Sequence, residues 1–219
     1  MKFLLKKEII LLTLCAFFLN ACIGISADIQ LNRDGSGKLI MEYRISNTLS
    51  NMGSLDGNAS QPAIPLSKQD LERTIERIPG LRLSSYSKRE TLQDNIINIT
   101  LDFSNSQALL AYLDPESAKA SISHNGQSGN LNLIIYNEPN SGFDENLIAL
   151  MRSLYTDYNF SISFSAGGNS TMTITDGNGN AMPSPSSASV VNSGRKVSFS
   201  IGILDLLESK NGLGFKFNW

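Results

Sequence analysis

Strict alternation of apolar and polar residues constrains this chain more than any other feature. In the run from Ile97 to Phe103, every second side chain is apolar: Ile97, Ile99, Leu101 and Phe103. Successive side chains on a strand point to opposite faces, so this period buries one face and leaves the other to water. The period returns at Leu39, Met41 and Tyr43, at Phe160, Ile162 and Phe164, at Val197, Phe199 and Ile201, and at Phe215, Phe217 and Trp219. Such a pattern calls for half-buried strands, most simply in antiparallel sheet.

The first twenty-two residues obey a different rule. Lys2, Lys6 and Lys7 form a basic head, Ile9 to Phe18 is an almost unbroken apolar run, and Leu19-Asn20-Ala21-Cys22 closes it. A basic head, a short apolar run and a small residue before the cut describe a cleaved secretory signal peptide. The run is shorter than the roughly 20 residues that a membrane-spanning helix needs. Leu19, Ala21 and Cys22 resemble a bacterial lipobox, with Asn20 where that motif prefers Ala, Ser or Thr. The resemblance implies cleavage between Ala21 and Cys22 and attachment of lipid to the Cys22 sulfur. Cys15 leaves with the leader, so Cys22 has no intramolecular disulfide partner.

Loss of the leader leaves 198 of the 219 residues and moves the formal charge from −2 to −4, since Lys2, Lys6, Lys7 and Glu8 go with it. That size fits one large domain or two small ones. Mild acidity without a basic run gives no electrostatic footprint for nucleic acid or for an anionic membrane surface. No second apolar stretch approaches membrane-spanning length, so the expected membrane attachment is the acyl group alone.

Asp34-Gly35-Ser36-Gly37 joins two alternating stretches and predicts a hairpin over residues 28–46. Residues 47–63 are rich in Ser, Asn and Gly and read as a loop. Ser67 and Asp70 have capping-box spacing ahead of Leu71, Ile75 and Ile78, with Pro79-Gly80 as the stop. The charged face of that helix, Glu72, Arg73, Glu76 and Arg77, reads as a solvated surface. A short helix is expected over 106–113 and a second hairpin around His124-Asn125-Gly126. Residues 144–155 are expected to form a helix with Leu147, Leu150, Met151 and Leu154 on one stripe. Residues 176–189 read as a loop. Together these predict an α+β fold: a mostly antiparallel sheet with about three helices packed on it, following the cleaved signal peptide. The expected organisation is a signal peptide over 1–21, a lipidated tether over 22–27 and one α+β globular domain over 28–219.

This order of elements resembles that of the LppM-type bacterial lipoproteins: lipobox, Asp34-Gly35-Ser36-Gly37 hairpin, helix ending in Pro79-Gly80, alternating Ile97 to Phe103 strand, and closing aromatic strand. The resemblance implies an α+β domain in the cell envelope, with hydrophobic ligands or envelope proteins as partners, and it brings no catalytic residues.

The residues themselves offer little chemistry. His124 is the single histidine and lies in a predicted turn, without the supporting groups that a Ser-His-Asp arrangement needs. Zinc would need several His or Cys ligands, and no cofactor or metal is expected. Asp176-Gly177-Asn178-Gly179-Asn180 opens like a calcium loop, but Ala181 stands where Gly is required and Ser187 where a bidentate Glu is required. It reads as a turn. The expectation is therefore a non-catalytic binding or interaction module, lipid-anchored on the extracytoplasmic side of a bacterial envelope membrane. The competing readings are an envelope hydrolase using dispersed carboxylates such as Asp102 or Glu116, and a barrel-associated outer-membrane protein, for which the aromatic strand ending at Trp219 is the cue.

Overall fold

The computed structural model describes residues 23–47, 67–126, 128–136, 152, 158–209 and 211–219. The leader, Cys22, the loop 48–63 and the stripe of Leu147, Leu150, Met151 and Leu154 lie outside the described residues.

Strands β1 (Ile23–Leu31) and β2 (Gly37–Ser46) form the expected antiparallel hairpin, with Ile29 opposite Leu39 and Ala27 opposite Met41. Its turn is closed by Asp34, whose carboxylate accepts the Ser36 N–H at 3.0 Å, and by Gly35 at φ +84°. That left-handed conformation favours glycine. Residues 23–27, expected as a tether, are the first half of β1. Their alternation extends that of Ile29 and Leu31, and Ile25 pairs with Tyr43 across the ladder.

Helix α1 (Lys68–Ile75) starts at Ser67, whose hydroxyl accepts the Asp70 N–H at 3.1 Å, and buries Leu71 and Ile75. Strands β3 (Leu81–Glu90) and β4 (Asp94–Phe103) follow as a hairpin, then α2 (Ser106–Leu113), capped by the Asn105 side chain. The second predicted hairpin is β5 (Ala120–His124) with β6 (Gly129–Tyr136). The rest comprises β7 (Asn159–Ser165), β8 (Thr171–Thr175), β9 (Ser189–Ser193), β10 (Lys196–Gly202), α3 (Ile203–Leu207) and β11 (Leu213–Asn218).

These strands make two sheets: seven strands in the order β3-β4-β2-β1-β7-β10-β9, and four in the order β5-β6-β11-β8. Every pairing is antiparallel except that of β1 with β7. The expected α+β architecture, with helices as the layer covering a sheet, is overturned. Strand accounts for 53% of the described residues and helix for only 14%, in three short helices. The physical reason is what covers the apolar faces. Phe160, Phe164 and Phe199 of the large sheet meet Phe215 and Phe217 of the small one, with Phe164 and Phe217 stacked at 5.0 Å. One sheet therefore buries much of the other. The helices close the margins: α1 packs on β3, α2 on β4 and β5, and α3 on β7 and β10.

Candidate binding cleft

Between the two sheets, beside α1 and the end of α2, lies an open cleft of about 1120 Å³. Its floor is the inner face of β1, β2 and β7. Register sets three side chains in each cross-strand row: Tyr43, Ile25 and Phe160 in one, Met41, Ala27 and Ile162 in the next. Ala27 is the smallest of these and sits in the middle strand, so its row has room above it that a leucine would fill. Leu133 and Ile135 of β6 form one wall, and Tyr112 and Leu113 of α2 another.

The mouth is polar and cationic. Asp70, Arg73 and Thr74 of α1 and Arg77 in the turn after it line the mouth, and Lys88 of β3 and Lys119 add two more cations. Four positive charges therefore face the single carboxylate of Asp70. Arg73 pairs with Asp70 at 3.5 Å and Lys88 with Glu90 at 2.9 Å, both in exposed positions where such pairs contribute little.

Two phenols interrupt the apolar floor. The Tyr43 hydroxyl donates to the Met41 sulfur at 3.3 Å, and the Tyr112 hydroxyl reaches the same sulfur at 3.9 Å. A thioether is a weak acceptor. Burial pushes the Tyr43 phenol up, partly offset by a hydrogen bond with Tyr112. Tyr112 is pushed up strongly, first by burial and then by the nearness of Tyr43 and their hydrogen bond. Both phenols stay neutral near neutral pH and present O–H donors to whatever enters.

The residues weighed for chemistry lie elsewhere. Asp102 is on the outer face of β4, bonded to Lys38 at 2.8 Å and Arg82 at 2.6 Å. The Lys38 hydrogen bond is the main reason its carboxyl titrates below the ordinary range. Glu116 is exposed in the turn after α2, and neither carboxylate lines the cleft. The His124 ring packs over the β1–β2 turn, where a Cβ on Gly35 would stand 2.8 Å from its Nε2. Asp176 is consumed by its own turn: it accepts from the Asn178 N–H at 2.9 Å and the Asn180 N–H at 2.8 Å, and from the Asn180 side chain at 3.0 Å. Among the described residues, no group of three or more His, Cys, Asp or Glu could hold a metal ion, and no helix is long and apolar enough to cross a membrane. Ala21 and Cys22 lie outside the described residues.

Sequence reasoning assigned Arg73 and Arg77 to a plain solvated face. The signal it passed over is spacing: 70, 73 and 74 share one helical face beside the buried stripe of Leu71 and Ile75, and Arg77 follows in the turn after the helix. No family model, curated protein or solved structure matches the chain.

Proposed function

We propose that this chain is a lipid-anchored envelope protein that binds an apolar ligand and carries out no reaction on it. One observation carries the reading: a cleft of about 1120 Å³ with an apolar floor and a cationic mouth, left between sheets that are elsewhere tightly packed. Ligand sites are typically concave, mainly apolar and equipped with a few polar groups that fix orientation. Here the floor suits a hydrocarbon chain, the phenols of Tyr43 and Tyr112 suit an ester or hydroxyl, and Arg77 and Lys119 suit a phosphate or carboxylate. The anchor half of the reading rests on Leu19, Ala21 and Cys22, and the LppM-type resemblance belongs with it.

Two features favour binding over chemistry. The carboxylates tied into the fold, Asp94, Asp102 and Asp114, are held by structural partners. In the cleft, the raised phenols of Tyr43 and Tyr112 are neutral and suit hydrogen-bond donation to a ligand.

The test is extraction. The full chain, purified from its native host, is treated with organic solvent and the extract examined by mass spectrometry. An amphiphile present in stoichiometric amount is the expected result. An empty extract, together with no saturable binding of fatty acids or phospholipids, would remove the ligand half of the reading. Cys22→Ser is expected to abolish labelled-palmitate incorporation and release the protein from the membrane fraction. A Ser variant that still sediments after a carbonate wash defeats the anchor half.

A further inference from the structure

We infer that the β3–β4 turn, with Leu92 at its apex, rests in the lipid bilayer beside the anchor, so that the large sheet stands end-on to the membrane. The inference rests on the proposed acylation of Cys22 and adds to it an orientation and a contact surface.

Register supplies the geometry. Cys22 is one peptide bond from Ile23, where β1 begins. Ile23 pairs with Ile45, Ile45 with Asn95, and Asn95 with Glu90, so the start of β1 and the β3–β4 turn lie at the same end of the sheet. Two strand spacings, about 10 Å, separate β1 from β4 within the sheet. With no tether between the acylated residue and the sheet, that end is held at the lipid surface. The chain extends beyond the level of Asn95 and Glu90 by the four residues Thr91, Leu92, Gln93 and Asp94.

The turn is built to present one side chain. The Thr91 N–H donates to the Asp94 carbonyl at 2.8 Å and the Asp94 N–H to the Thr91 hydroxyl at 2.9 Å. Asn47, at the end of β2, donates its N–H to the Gln93 carbonyl at 2.8 Å and its side-chain amide to the Thr91 carbonyl at 2.9 Å. The polar groups are directed inward, and Leu92 is left 100% exposed. Among the described residues, the other large exposed apolar side chains, Ile40, Val190 and Val191, are between 37% and 56% exposed. Leu92 therefore adds no buried area to the fold.

The flank leading into the turn carries one net positive charge. Lys88 is paired with Glu90 at 2.9 Å, and Arg89 is exposed with no ion-pair partner among the described residues. Cations near an anionic lipid surface add attraction. One leucine and one net positive charge bind weakly from solution, but an anchor one residue from the same sheet holds them at high effective concentration. The same orientation turns the end of the cleft lined by Ile25, Tyr43 and Lys88 toward the lipid.

The test uses the full acylated chain in vesicles of phosphatidylethanolamine and phosphatidylglycerol whose acyl chains carry bromine. Leu92→Cys and, separately, Arg195→Cys at the opposite end of the sheet receive an environment-sensitive fluorophore. Acylation makes Cys22 a thioether, so the label goes only to the introduced thiol. The expected result is a blue shift and loss of emission at position 92 and neither at 195. Emission at 92 that is unquenched, or quenched no more than at 195, overturns the inference while the anchor stands. If Cys22 itself takes label and palmitate is not incorporated, the anchor reading has failed. The same two variants in a Cys15→Ser, Cys22→Ser background are then mixed with the vesicles: quenching confined to 92 upholds the turn as a lipid contact, and its absence overturns it.

Discussion

Asp94 shows how a single carboxylate can tie together parts of the chain that are far apart. It is only 2% exposed and accepts from Arg44 Nε at 2.7 Å and from the Tyr158 hydroxyl at 2.5 Å, with Arg44 lying 6.0 Å from the Tyr158 ring centre. Breaking a buried ion pair by removing one member costs about 3–5 kcal/mol where burial is complete. Arg44 is 42% exposed and solvent takes over part of its charge, so Asp94→Ala is expected to cost about 2 kcal/mol in urea unfolding. A loss below a few tenths would mean the cluster contributes nothing. Asp114 gives the pH dependence. Burial is the largest influence and pushes its carboxyl up, but the backbone amides of Lys119, Ala120 and Ala118 together outweigh it, and the group titrates below its ordinary value. A depressed folded-state pKa gives stability that is present above the unfolded value, about 3.9, and is lost as pH falls through the folded one. Melting temperature should therefore fall on acidification below about pH 4, and Asp114→Asn should flatten that fall. None of these partnerships was legible in the sequence. Residues 50 and 64 positions from Asp94 meet it only because two strands pair and β7 returns beside β1.

At the scale of elements, what could be read was whatever has a period. The alternation at Ile97 to Phe103 became β4 with all four apolar residues buried, and the Ser67 cap started α1 where its spacing placed it. Strand β9 escaped because every one of its five residues is exposed, so burial imposed no alternation and only the ladder to β10 defines it. α1 ended at Ile75, short of Pro79, with Glu76 as its C-cap. The residues that line the cleft escaped for a related reason. A small residue inside an apolar strand reads as core until its neighbours are known, and Ala27 gains meaning only between Met41 and Ile162. Ala27→Phe should fill the space over that row. The expected outcome is loss of the copurifying amphiphile with a stability change within about 1–3 kcal/mol, the usual range for an enlarged core residue. Mass spectrometry of the extract and urea unfolding check both. An unchanged ligand content would move the binding site away from the β1 floor.

For the whole molecule, alternation told which face of each strand is buried but not which sheet the strand joins. A half-buried strand looks the same against a helix, against another sheet or in a barrel wall. The aromatic run ending at Trp219 could be read as a barrel-closing strand, and it is instead flanked by β6 and β8 in the four-stranded sheet. Its rings are the seam of the fold: Phe217 is fully buried, stacked on Phe164 of the other sheet at 5.0 Å and on Phe215 at 5.8 Å. Rings shared across the seam couple the two sheets, so they should unfold together. The single tryptophan makes this measurable, because Trp219 lies 5.2 Å from Phe164 and its fluorescence reports the seam, whereas far-ultraviolet circular dichroism reports mainly the larger sheet. The two urea transitions should coincide in the wild type, as in a two-state domain. Phe217→Ala opens a cavity at the point where the sheets touch, and it should cost about 3–5 kcal/mol by both probes equally. A variant that loses only the fluorescence transition, with the dichroism midpoint unmoved, would show two independent layers and an aromatic seam that joins nothing.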